Sequence, residues 1–300
     1  MKKDPVKAST ATGILGGSGL YQMDGLDCPR WIRLRSSFGS ASDLAFEGSF
    51  GGARAVFLPR HGRGHRIPPS MVNYRANVVG LKEAGCRDLL SISAVGSLKE
   101  NLPPGTFVIV DQFIDRTYAR DKSFFGPGLV AHVSMAHPVC RRLGDHLEAA
   151  AKKLKIPYVR GGTYLTMEGP QFSTLAESNL YRSWGCDVIG MTNMPEAKLA
   201  REAEVCYASV SMVTDFDCWH PDHDHVSVDT IVKTLHDNAD KARALVREVL
   251  PRLAGDLHAE SCPCRTALES AILTAPEARD PKMVKKLKMV AGRVLGRSQA

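Results

Sequence analysis

The chain has 300 residues, 44% of them hydrophobic and 24% charged, with a formal net charge of +7. That is ordinary globular composition, enough for one large or two small domains, and no run of about 18 apolar residues is present to span a membrane. The N-terminal MKKDPVKASTATG is basic but lacks the apolar core of a signal peptide, so a cytoplasmic protein is expected.

In chain order, GILGG at 13–17 predicts a strand running into a glycine turn, and ARAVFLPRHG at 53–62 a strand ending on Arg60 and His61. NYRANVVGLKEAG at 73–85 has helical spacing and a glycine stop. DLLSISAVGS (88–97) and TFVIVDQFID (106–115) read as buried strands. PVCRRLGDHLEAAAKKLK (138–155) predicts an amphipathic helix, followed by a strand from Tyr158 to Tyr164. Next come a helix at 174–185, a strand at 187–191, and a helix at 195–204 with proline in its first turn. VCYASVSMVTD follows as a strand, then a long helix from about Ser227 to Leu250. The last segment, DPKMVKKLKMVAGRVLGR, gathers much of the positive charge and predicts a solvated basic helix or tail. No nucleic-acid signature accompanies it, so nucleic acid is not favoured as a partner.

The alternation is continuous and has no linker rich in Gly, Pro or Ser. It predicts an α/β protein with one domain over 1–300, a flexible N-terminus at 1–10 and a C-terminal helical extension at 256–300. Of the eight cysteines, Cys28, Cys86, Cys140, Cys186, Cys206 and Cys218 are scattered without ligand spacing and read as reduced core residues. Cys262 and Cys264, in SCPCR, lack the four-ligand set of a zinc site. They are expected to be structural or redox-active and distant from the chemistry. No metal is expected; HPDHDH (220–225) reads as a polar loop.

Four strand ends carry small or cationic residues. In GGSGL, Ser18 sits among glycines that let backbone amides approach an anion. RHGRGH offers the planar fork of Arg60 with His61 as a donor beside it. Ser93 and Ala94 lie in SAVGS, and Met191 and Thr192 in GMTNMPE. Ligands of α/β sheets gather at carboxyl ends of strands, so the four together suggest a phosphate site. VTDFDCWH (213–220) ends another strand with Asp215 and Asp217 two residues apart, which on extended backbone face one side. Such a pair needs a cation, a metal or a ligand rich in donors.

With these motifs assembled, the chain resembles the 5'-methylthioadenosine phosphorylases of the purine nucleoside phosphorylase superfamily. The stretches that carry the resemblance are GGSGL, RHGRGHRIPPSMVNYRANV, SAVGSL, DQFIDRT, TMEGPQFSTLAES, GMTNMPEAKLARE and CYASVSMVTDFDCWH, running in family order from about Gly13 to Leu250. The resemblance implies a single α/β domain with a central mixed sheet flanked by helices, assembled as a trimer or dimer of trimers. It implies that Ser18, Arg60, His61, Ser93, Ala94 and Thr192 hold inorganic phosphate as a co-substrate, with no cofactor. It places Met191 against the ribose, Phe172 near the base, and Asp215, Phe216 and Asp217 at the purine, the two aspartates being catalytic. Ser173 and Val228 match positions that tune which nucleoside is accepted. Gly190 stands where several adenosine-type relatives carry Asn. Three functions are carried forward: phosphorolysis of methylthioadenosine, phosphorolysis of 6-oxo or mixed purine nucleosides, and non-catalytic nucleotide or RNA binding.

Overall fold

The computed structural model describes residues 10–17, 23, 25–221 and 228–296, the last range without the side chains of 228–233 and 235. The expected flexible terminus therefore lies almost wholly outside the described residues. Eleven strands form one mixed sheet: β1 (Ala11–Gly16), β2 (Asp27–Ile32), β3 (Ala45–Phe50), β4 (Ala53–Pro59), β5 (Cys86–Ser97), β6 (Phe107–Ile109), β7 (Gln112–Asp115), β8 (Tyr158–Arg160), β9 (Thr163–Thr166), β10 (Val188–Gly190) and β11 (Cys206–Asp215). The helices are α1 (Tyr74–Glu83), α2 (Arg141–Lys153), α3 (Leu175–Ser183), α4 (Asn193–Glu202), α5 (Val228–Ala254), α6 (Pro281–Lys286) and α7 (Lys288–Leu295).

The 12-residue β5 is the axis of the sheet. Its first half pairs in parallel with β1, its end pairs antiparallel with β10, and β11 runs parallel along its other edge. Side chains alternate across these strands and so build a core on each face. Leu15, Val56, Leu58 and Leu89 pack beneath α1, α4 and α7; Ile14, Phe57, Leu90 and Ile92 pack beneath α2 and α5. Each fully buried side chain of this size stabilises by roughly 1.5–3 kcal/mol. No helix among the described residues is long and apolar enough to cross a membrane.

Three expectations are corrected. The run 106–115 is two strands, because the chain leaves β6 after Ile109 and resumes beside β9 as β7. The run from Tyr158 is likewise divided, at Gly161 and Gly162, whose φ of +89° and +127° suit glycine alone. The basic C-terminal segment is not a solvated tail. Leu287, Val290 and Ala291 are buried in the core, and Arg293 pairs with Glu204 and Glu269. The apolar positions recur at helical spacing, which the lysines between them obscure. The edge hairpin of β2 and β3 was not predicted; β2 is exposed, carries a proline and has no apolar alternation.

Candidate active site

The parallel strands β1, β4 and β11 end in one layer. Gly16 lies opposite both Pro59 of β4 and Ile92 of β5, and Met212 lies opposite Ala94. A cavity of about 700 Å³ opens there, a size suited to a small organic ligand. Arg60, His61, Ser93, Ala94, Phe172, Met191, Thr192, Asp215 and Asp217 all line it. Ser18 falls outside the described residues; its neighbour Gly17 is on the wall. Val228 opens α5, with its side chain outside the described residues.

Two expected residues are not on the wall. Phe216 turns into the protein, its ring centroid 4.7 Å from His220 and 5.8 Å from Trp219. Ser173 is buried behind the surface, its hydroxyl 3.8 Å from Met167 Sδ and its carbonyl accepting from Cys218 Sγ.

Arg60 is only 1% exposed, and its fork is engaged within the protein. Nε and Nη2 donate to Glu196 of α4, while Nη2 also donates to Ser91 Oγ at 2.6 Å and to the Leu15 carbonyl at 3.2 Å. Burial opposes its charge, but the charge and hydrogen bonding of Glu196 outweigh that and hold the guanidinium well above its ordinary range. The forked contact expected toward phosphate is therefore made to Glu196. Arg60 brings to the cavity floor the guanidinium of a buried ion pair, with Nη1 held only by a long 3.4 Å contact to the Ile92 carbonyl.

His61 also departs from expectation. Burial, then the neighbouring Arg60 charge, pushes its pKa down to about 3. The ring is neutral near pH 7, and Nδ1 lies 2.9 Å from the Ile67 carbonyl, which can only accept. Nδ1 therefore carries the hydrogen, and Nε2 is an acceptor rather than the expected donor. It suits a P–OH group. Thr192 Oγ1 is buried without a partner, a donor awaiting a ligand in the cavity wall.

The carboxylates converge by a turn, not by strand alternation. Asp217 has φ +52°, a conformation that aspartate tolerates, and its N–H donates to Asp215 Oδ1 at 2.8 Å. Thr214 Oγ1 donates to Asp215 Oδ2 at 2.7 Å. Burial raises the Asp215 pKa to about 6 against these two stabilising hydrogen bonds, and the Asp217 charge adds to the rise. Burial raises Asp217 as well. Gly96 leaves room for the pair, since a Cβ there would stand 2.9 Å from Asp215 Oδ1.

Sequence reading missed Glu196, the counter-ion to Arg60; its signal was an acid on an otherwise apolar helix face in MPEAKLA. It also missed Arg120 and Glu168. Arg120 Nε donates to Glu168 Oε1 at 2.9 Å, and Nη1 donates to the carbonyls of Met191 (2.6 Å) and Met194 (2.8 Å), so the pair clamps the two loops that carry Met167 and Met191. Tyr164 explains Gly190, because a Cβ at 190 would collide with the buried Tyr164 hydroxyl.

Residues 12–251 match the phosphorylase superfamily. The chain belongs to that family. As a phosphorylase it is 63% identical over 284 residues to an S-methyl-5'-thioadenosine phosphorylase of Rhodospirillum rubrum, covering 95% of this chain and 97% of that protein. It is 60% identical over 287 residues to one of Bradyrhizobium diazoefficiens, covering 94% and 97%. Among solved structures, a methylthioadenosine phosphorylase from an antarctic soil metagenomic library aligns with a TM-score of 0.88 at 45% identity, covering 94% of this chain and 99% of that one. The Schistosoma mansoni methylthioadenosine phosphorylase in complex with adenine aligns at 0.82 and 38%, covering 86% and 97%.

Proposed function

We propose that this phosphorylase cleaves 5'-methylthioadenosine with inorganic phosphate to adenine and 5-methylthioribose 1-phosphate, a pentosyl transfer in purine and methionine salvage. One observation carries the reading: a single cavity joins a floor that presents the Arg60 guanidinium and the Ser93 and Thr192 hydroxyls to a carboxyl whose proton persists to about pH 6. Breaking the bond from ribose to purine N9 puts positive charge on the sugar and negative charge on the departing base. Phosphate on the floor stabilises the first and then attacks the sugar carbon. An acid at the base neutralises the second.

Asp215 suits that acid. In its protonated form it donates toward N7, and its other oxygen accepts from the 6-amino N–H. Burial keeps its pKa high; Asp217 holds it in place through the backbone hydrogen bond, and the Asp217 charge adds to the rise. A 6-oxo base presents an acceptor where this site also offers an acceptor, which favours the amino purine. Gly190 makes room for Tyr164 and so lends no support to a 6-oxo preference.

The reading includes a trimer or dimer of trimers, supported by the exposed apolar side chains of Met71, Tyr118 and Phe172, the last of them on the cavity wall. It includes a cytoplasmic setting, supported by the eight free thiols. The test is a kinetic panel of methylthioadenosine, adenosine, inosine and methylthioinosine with and without phosphate. Adenine release that requires phosphate, with methylthioadenosine preferred to inosine, is expected. Phosphate-independent cleavage or preference for inosine overturns the reading.

A further inference from the structure

Four of the eight cysteines meet at one point on the far side of the sheet from α1. Cys140 caps the start of α2, Cys206 begins β11, and Cys262 and Cys264 flank Pro263 in the turn after α5. All four are buried, free thiols, and their sulfurs lie within 4.8 Å of one another. We propose that Cys140, Cys206, Cys262 and Cys264 form a tetrathiolate site for a structural zinc ion that fastens the C-terminal extension to α2 and β11. This corrects the expectation that Cys262 and Cys264 lack further ligands. Cys140 and Cys206 supply them from segments far away in sequence, where no spacing could signal it.

The geometry supports one ion at the centre. A zinc–sulfur bond of about 2.3 Å in a tetrahedron places neighbouring sulfurs about 3.8 Å apart. Cys140 Sγ and Cys262 Sγ stand 3.6 Å apart, and no pair exceeds 4.8 Å. Four sulfurs that all lie within 4.8 Å of one another describe one four-cornered site. The ligand count is closed by protein alone, as in structural zinc sites, and an all-sulfur set favours a soft cation over magnesium or calcium.

The surroundings carry the second argument. Loading converts four thiols and Zn²⁺ into a zinc tetrathiolate of charge −2 with release of four protons. Arg201 of α4, half-buried, donates through Nη1 to Cys264 Sγ at 3.7 Å and through Nη2 to the His137 carbonyl. Arg142, whose Nη atoms bond Asp88 and Asp256, lies against Cys206 with a buried Nε that has no other partner. Guanidinium donors at the sulfurs supply the outer-shell hydrogen bonds that favour thiolate ligands over neutral thiols. The same four cysteines also border the apolar core beneath α2 and α5, which shields the site from water.

The full chain, purified under reductant without chelator and passed through gel filtration after exposure to zinc chloride, should retain about one zinc per chain by elemental analysis. Cobalt(II) in place of zinc should give the thiolate charge-transfer and visible bands of a tetrahedral sulfur site. Cys262→Ser and Cys264→Ser should lose the metal and melt at lower temperature while turnover at moderate temperature stays near normal. Cys28→Ser, outside the cluster, should keep the metal. Because the wild-type measurement needs no variant, poor folding of the serine proteins leaves the test intact. Four titratable thiols with no retained metal, or two disulfides found by mass spectrometry in protein prepared under reductant, would overturn the proposal.

Discussion

The two ends of β11 each hold a polar cluster, and the two are built on opposite plans. Between Cys206 and Thr214 every residue of the strand is buried. At its start, four sulfurs and two guanidinium groups turn toward one another within the protein. At its finish, Asp215 and Asp217 border a cavity where Thr192 Oγ1 has no partner and burial leaves a carboxyl half-charged near pH 6. A site that only holds a chain together can close every valence on itself. A site that must bind and release a ligand leaves donors open and charges unsettled, at a cost that the rest of the strand's burial offsets.

Within the open cluster, the comparison predicts different consequences for residues that are satisfied and residues that are not. Arg60 is satisfied. Arg60→Ala strands Glu196 as a buried charge and should cost about 3–5 kcal/mol of folding stability besides weakening phosphate use. Urea unfolding checks this, and a loss below about 1 kcal/mol would show that the Arg60–Glu196 pair is not buried as described.

Asp215→Asn keeps the shape but removes the transferable proton, and turnover of methylthioadenosine should fall by roughly 10²–10³. Asn can still donate to a 6-oxo group, so the ratio of methylthioinosine to methylthioadenosine efficiency should rise. Equal losses on both substrates would mean that Asp215 does not read the base.

Thr192 is unsatisfied, so Thr192→Val should leave folding nearly unchanged. It should raise the apparent KM for phosphate by the equivalent of about 1.5–3 kcal/mol, the range for a hydrogen bond to a charged group. A destabilised protein with normal phosphate saturation would reverse the assignment.

Much of the open site was legible because its residues sit in short local motifs at strand ends: RHG, SAV, MTN and the paired aspartates. Local sequence could not say how Arg60 is oriented, because Glu196 lies on another element and decides it. It gave His61 as a donor, because the Ile67 carbonyl that fixes its tautomer arrives through a turn. Alternation brought Asp215 and Asp217 to one side for the wrong reason, and the turn at Asp217 sends Phe216 away from the cavity. The closed site was illegible for the same physical cause. Its four ligands come from three segments joined only by tertiary packing, so the CPC pair looked incomplete. The strands that failed as predictions are the run that changes partner after Ile109, the run that Gly161 and Gly162 divide, and the hairpin whose outer strand lies exposed at the sheet edge.

The central claim is that Asp215 enters the reaction as a buried acid, and the pH dependence of kcat/KM reports the ionisation of the free enzyme directly. Its pKa is raised to about 6, so the protonated form dominates below that pH and is lost above it. For methylthioadenosine at a fixed phosphate concentration well below saturation, kcat/KM of the wild-type protein should fall by about tenfold per pH unit above this value, and Asp215→Asn should lack that limb. A wild-type profile that stays flat from pH 5 to pH 8, or a limb that persists unchanged in Asp215→Asn, would contradict the role assigned to Asp215.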